Sequence, residues 1–182
     1  MSAPPAGPLD GLVVADFSRV LAAPYATMLF ADLGADVVKV ERPGTGDDTR
    51  TWGPPFVGGD ATYFLSVNRN KRSVALDLAD PGTRDEIVEL VRRADILVEN
   101  FKPGGMTRFG LSYEQAARIN PRLVYCSVTG FGSGKGANLP GYDLLAQTVG
   151  GLMSVTGTDP DHPVEAGVAV VDVLTGDRKS VV

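Results

Sequence analysis

The run Gly167-Val-Ala-Val-Val-Asp172-Val-Leu-Thr-Gly176 sets one carboxylate inside an otherwise uncharged, aliphatic stretch. An ionised group stripped of water is costly unless something compensates, so Asp172 needs a reason to be there. As a helix N-cap its side-chain oxygen would accept a backbone N–H where the chain passes from a strand-like into a helical segment. As a nucleophile, a poorly hydrated carboxylate could form a covalent acyl intermediate. Local sequence by itself favours the cap.

Few other residues could do chemistry. The only histidine, His162, sits in the turn-like Asp159-Pro-Asp-His-Pro163 and is expected to be exposed and inert. The only cysteine, Cys126, lies in the apolar Leu123-Val-Tyr-Cys-Ser-Val128 and reads as a small buried hydrophobe. A single cysteine forms no intrachain disulfide and suits the cytoplasm. One histidine and one cysteine assemble neither a zinc site nor a Ser-His-Asp or Cys-His arrangement, so no metal is expected. Acid–base chemistry is left to carboxylates, lysines and tyrosines.

Two segments suggest anions. Arg69, Lys71 and Arg72 in Asn68-Arg-Asn-Lys-Arg72 could meet a small polyanion such as a nucleotide phosphate, or form a solvated turn. The loop Gly130-Phe-Gly-Ser-Gly-Lys-Gly136 looks like a phosphate cradle, but its glycines fall at every second position. That matches neither G-x-G-x-x-G nor G-x-x-x-x-G-K-[ST]. The segment after the first strand, Ser18-Arg-Val-Leu-Ala-Ala-Pro24, has no glycine, which argues against NAD and ATP. The glycine loop reads instead as a lid or a close backbone approach to a ligand.

These residues must be positioned by alternating elements. Leu12–Asp16 reads as a buried strand and Ala23–Leu33 as a helix closed by Gly34. Asp36–Glu41 is a second strand, followed by a long surface loop over Arg42–Ala61. Ser73–Asp77 is a third strand. The next helix starts at Asp80 and Pro81 and carries an Ile87, Leu90, Val91 stripe. Ile96–Glu99 is another strand, Ser112 and Gln115 form a capping box ahead of a helix that stops by Asn120-Pro121, and Leu123–Thr129 is the last strand. Strands alternating with helices imply a Rossmann-like α/β fold, a parallel sheet covered on both faces.

Composition agrees: 182 residues, 43% of them hydrophobic, can bury a sizeable core. A net charge of −5 argues against nucleic acid as the main partner. The Ala/Pro-rich start does not read as a signal peptide, and no apolar run approaches membrane-spanning length, so no membrane partner is expected.

Six ordered pieces resemble the family III CoA-transferases, the CaiB/BaiF group that includes formyl-CoA transferase. They are Asp16-Phe-Ser-Arg-Val-Leu-Ala-Ala-Pro24, Leu33-Gly-Ala-Asp-Val-Val-Lys-Val-Glu-Arg42, Asn70-Lys-Arg-Ser73, Val98-Glu-Asn-Phe101, Pro103-Gly104 and Gly141-Tyr-Asp143. The resemblance implies that Asp172 is the catalytic aspartate, reversing the local preference for a cap. It implies acyl-CoA:carboxylate CoA transfer through an aspartyl-CoA thioester, with coenzyme A as a substrate and no tightly bound cofactor. It also implies that Arg19, Val20, Leu21, Ala22, Arg42, Leu76, Asn100, Phe101, Arg108 and Tyr142 line the CoA site. Arginines suit the phosphates, while Leu76 and Phe101 suit the adenine or pantetheine arm; the plainer alternatives are core positions for Leu76 and Phe101 and a surface helix for Arg108.

The related α-methylacyl-CoA racemases carry a histidine where this chain has Tyr142. A tyrosine hydroxyl ordinarily ionises near pH ~10 and suits that base poorly, so transfer is favoured over racemisation. A non-catalytic CoA-ester-binding relative is the third reading. The resemblance runs from Leu9 to Gly176, after a flexible start over residues 1–8, and Asp177–Val182 is expected to be a non-native tail: a common sequencing adapter, GATCGGAAGAGCGTCGTG, encodes those six residues. Family members are longer and form dimers of interlocked rings, so the full-length protein is expected to be a homodimer and these residues alone to turn over little.

Overall fold

The computed structural model describes residues 7–159 and 161–179. The expectations for residues 1–6 and for Ser180–Val182 lie outside the described residues.

Five parallel strands form the central sheet: β1 (Val13–Asp16), β2 (Asp36–Glu41), β5 (Arg72–Ala75), β6 (Ile96–Glu99) and β7 (Val124–Ser127). Their order is β5-β2-β1-β6-β7, with Val14 opposite Val37 on one side and Ile96 on the other. The chain winds outward from β1 through β2 to β5, then restarts on the far side of β1 with β6. The gap between β1 and β6 is therefore the topological switch point, where the loops leaving the carboxyl ends of the strands diverge and open a crevice.

The connections are α1 (Ala22–Asp32), α2 (Thr62–Asn68), α3 (Arg84–Arg93) and α4 (Tyr113–Ile119). The α3 stripe packs as its spacing predicts, with Ile87 and Val91 buried and Leu90 against the same cluster. A 3₁₀ turn over Pro81–Thr83 leads into α3, and the Asp80 carboxylate accepts the Gly82 N–H. The capping box of α4 forms: Ser112 Oγ accepts the Gln115 N–H, and Gln115 Oε1 accepts the Ser112 N–H at 2.9 Å. One core cluster beneath the sheet gathers Phe17, Ile87, Val91, Leu97 and Leu111, and another gathers Val14, Phe30, Val37 and Val98.

After β7 come α5 (Asp143–Val149), α6 (Met153–Thr156) and α7 (Val170–Lys179). Helix α7 lies against α1, and Gly176 permits it: a Cβ there would sit 2.5 Å from the Ala22 carbonyl oxygen. None of the described helices is long and apolar enough to cross a membrane.

Two local expectations are met only in part. The segment Arg42–Ala61 is mostly exposed, as a surface loop should be, but it is not without regular structure. It holds a 3₁₀ turn over Asp48–Thr51 and a short hairpin of β3 (Phe56–Val57) and β4 (Asp60–Ala61). The turn forms because Asp47 caps it, accepting the Thr49 N–H at 3.0 Å, while Arg50 reaches back to Glu41. The basic run Asn68–Arg72 makes an exposed turn at Arg69 and Asn70, as the plainer reading expects, but its charges are paired within the chain and Lys71 departs from that reading. Lys71 is buried, with its Nζ 3.1 Å from Asp16, and Arg69 and Arg72 pair with Asp32 and Asp36.

Candidate active site

The loops at the carboxyl ends of the strands shape two adjoining cavities. The larger, about 880 Å³, lies over β2 and β5, and Arg42, Leu76, Phe101 and Arg108 line it. The smaller, about 300 Å³, takes in Val20, Leu21, Ala22, Asn100, Tyr142 and Asp172. Arg19 and Phe101 border both. Every residue that the resemblance placed in the CoA site thus lines one of two neighbouring spaces, and Asp172 faces the smaller.

Asp172 lies in the first turn of α7, two residues inside the helix, so its side chain is not an N-cap. That role passes to Asp143, whose Oδ1 accepts the Asp172 backbone N–H at 2.9 Å. Asp143 is held in turn by Gln147, a fully buried side chain whose Nε2 donates to Asp143 Oδ2 at 2.5 Å and whose Oε1 accepts the Ala166 N–H. Burial, and then the neighbouring Asp143 carboxylate, push the Asp172 carboxyl up to about 6. A carboxylate raised in this way is a better nucleophile than a fully hydrated one, yet is still largely ionised at neutral pH.

In the larger cavity Arg42 pairs with Asp48, which also lies 3.7 Å from Arg19. The Arg19 guanidinium sits 5.1 Å over the Phe101 ring, and Arg108 stacks on Phe109 at 4.4 Å. Leu76 and Phe101 serve both readings at once: each packs one side on the core and lends the other to the cavity wall. Arg108 stands on a 3₁₀ turn over Gly105–Phe109, not on a regular helix. Asn100 reaches the site through the backbone: its Oδ1 accepts the Arg19 N–H at 2.8 Å and its Nδ2 donates to the Arg19 carbonyl at 2.6 Å.

The glycine loop enters the smaller cavity with Gly130, Phe131 and Gly132. Its close approach is to the chain itself, since a Cβ on Gly130 would fall 2.4 Å from the Gly141 Cα. His162 is exposed and bonded to Asp159, away from both cavities.

Of the charges beneath the site, only Lys71 stands among the sequence-derived candidates, as an anion contact. Asp16, Lys39, Asp47 and Lys71 are all buried. Burial alone would raise Asp16, but Lys71 and then Lys39 outweigh it and hold the carboxyl at about 2. Burial brings Lys71 down to about 8, against the pull of Asp16. The signal was available, because Asp16 and Lys39 interrupt apolar strands as Asp172 interrupts its own run.

The sequence pattern of CoA-transferase family III matches residues 9–178. The chain belongs to that family. Within it, the human succinyl-CoA:glutarate CoA-transferase is 52% identical over 170 residues, covering 93% of this chain and 39% of the relative. The acetyl-CoA:oxalate CoA-transferase of Acetobacter aceti is 48% identical over 96% of this chain and 45% of its own length. A crystal structure of a CaiB/BaiF family protein from Brucella suis superposes with a TM-score of 0.92 at 47% identity, covering 97% of this chain and 48% of that one. The chain thus spans less than half the length of these family III relatives, and its α/β fold is that of the Brucella structure.

Proposed function

We propose that these residues form the nucleophile-bearing part of an acyl-CoA:carboxylate CoA-transferase, with Asp172 as the nucleophile. The observation that carries this reading is a half-buried carboxylate, raised to about 6, facing a small cavity that adjoins a larger one bordered by arginines. Coenzyme A has two ends to match. Its adenosine diphosphate part suits the larger space, with Arg19, Arg42 and Arg108 for phosphates and Leu76 and Phe101 for apolar contact. Its thioester end then reaches Asp172 past Arg19 and Phe101.

In the first step the Asp172 carboxylate attacks the thioester carbon of an acyl-CoA, forming a mixed anhydride and releasing the CoA thiolate. The thiolate attacks the aspartyl carbonyl of the anhydride, giving aspartyl-CoA thioester and the free donor carboxylate. An acceptor carboxylate attacks that thioester, forming a second anhydride and releasing the thiolate again. The thiolate then attacks the acceptor's acyl carbon, producing the new acyl-CoA and restoring Asp172. Asp143 holds the backbone of the helix turn that presents the nucleophile.

Tyr142 borders the smaller cavity where racemisation would require a base active near neutral pH, so transfer is the better reading. The names of the relatives make short dicarboxylic acids the first substrates to test. The resemblance further supports an interlocked homodimer for the whole protein, and exposed Val155, Val168 and Leu174 leave apolar surface for such cover.

The test uses protein expressed from the whole reading frame, incubated with succinyl-CoA and then treated with hydroxylamine. Mass spectrometry should find a hydroxamate on Asp172, and Asp172→Asn should abolish both it and transfer. Undiminished transfer by Asp172→Asn would overturn the reading.

A further inference from the structure

The loop between β1 and α1 is held in an unusual way. All five backbone hydrogen-bonding groups from Ser18 N to Val20 N are engaged by side chains from elsewhere in the chain or from β1. Asp16 Oδ1 accepts the Ser18 N–H at 3.0 Å, and Lys39 Nζ donates to the Ser18 carbonyl at 2.9 Å. Asn100 takes both the N–H and the carbonyl of Arg19. Both oxygens of Asp47 stand 3.4 Å from the Val20 nitrogen.

Val20 itself has a φ of 70°, in the left-handed region that a β-branched residue rarely adopts. Such a conformation persists only where the surroundings over-determine it, and it marks sites whose geometry matters. The surroundings here are rigid. Asp47 is 2% exposed; it takes Lys39 Nζ at 3.0 Å and both the N–H and hydroxyl of Thr49. Its own N–H donates to Glu41 Oε2 at 2.8 Å, and Glu41 is gripped by Arg50 at 2.7 Å and 2.8 Å. Lys39 is 1% exposed. Both border the larger cavity, but with so little open surface their hydrogen bonds go to the loop, to Thr49 and to each other.

We propose that Asp47, set by its ion pair with Lys39, is a positioning residue of the transfer site: it fixes the strained Val20 backbone and so holds Arg19 to Ala22, the loop shared by the two cavities, ready for coenzyme A. What the loop positions rests on the transfer reading above; the strain that Asp47 restrains does not. If Asp47 works by restraining Val20, its removal matters much less once residue 20 is glycine, which enters the left-handed region freely.

The test is a double-mutant cycle in protein from the whole reading frame, with coenzyme A as the probe and Kd read by titration calorimetry. Asp47→Asn should weaken binding at least about fivefold in the Val20 protein and less than about twofold in the Val20→Gly protein. Equal penalties in the two backgrounds overturn the proposal, because a merely structural Asp47 would lose the same affinity in both. A second comparison serves where Asp47→Asn does not fold or where the parent binds no coenzyme A, the latter result counting against the transfer reading alone. Val20→Gly should melt above Val20→Ala, the reverse of the usual order, because only glycine relieves the positive φ. Val20→Ala melting at or above Val20→Gly overturns the proposal.

Discussion

Asp172 shows how one residue carries opposite demands. Its carboxyl is raised from 3.8 to about 6, first by burial and then by Asp143. Only the ionised form attacks a thioester, so adduct formation from succinyl-CoA should fall about tenfold per pH unit below about pH 6 and level off above it. Asp143→Asn removes the like charge and should move that limb to lower pH, as a pH series of hydroxylamine trapping would detect. Stability responds with the other sign. A carboxyl raised in the folded state disfavours folding once ionised, so its penalty is absent below 3.8 and full above about 6. Asp172→Asn should therefore raise Tm at about pH 8 and leave it nearly unchanged at about pH 4. A Tm loss at about pH 8 would mean that the carboxylate stabilises the fold instead.

Elements present these residues through close backbone approaches. Helix α7 meets α1 at Gly176, where a methyl group would run 2.5 Å from the Ala22 oxygen and about as near the Tyr25 ring. Gly176→Ala should force α7 outward, costing about 1–3 kcal/mol from overpacking. Because Asp172 lies one turn earlier on the same helix, adduct formation should drop at least about tenfold, a larger effect than the stability loss alone explains. The capping box of α4 is a useful contrast. Ser112→Ala should cost about 1 kcal/mol in denaturant unfolding yet leave CoA affinity unchanged, since α4 lines neither cavity.

At the scale of the molecule, the buried charges join β1, β2, the segment after β2 and the residue before β5. Asp16, Lys39, Asp47 and Lys71 balance two against two, so losing one leaves a buried charge uncompensated. Lys71→Met should destabilise by about 3–5 kcal/mol, and adding Asp16→Asn should recover part of that loss. Additive losses in thermal unfolding would show that the two charges are not coupled.

Much of this arrangement could be read from the residues alone. Periodicity and turn residues located the five sheet strands and the α3 and α4 helices, because apolar spacing and caps are local properties. A charge inside an apolar run singled out Asp172, and the same reasoning extends to Asp16 and Lys39. What no local pattern contains is which buried charge neutralises which, or which carboxylate caps a helix 29 residues away. Lys71 read as a surface cation because its partner is 55 positions distant, and Asp143 replaced Asp172 as the cap only once α5 and α7 were brought together. The chemical inventory and the order of elements belong to the sequence; the pairing of charges and the joining of the cavities belong to the tertiary fold, because both depend on contacts between distant parts of the chain.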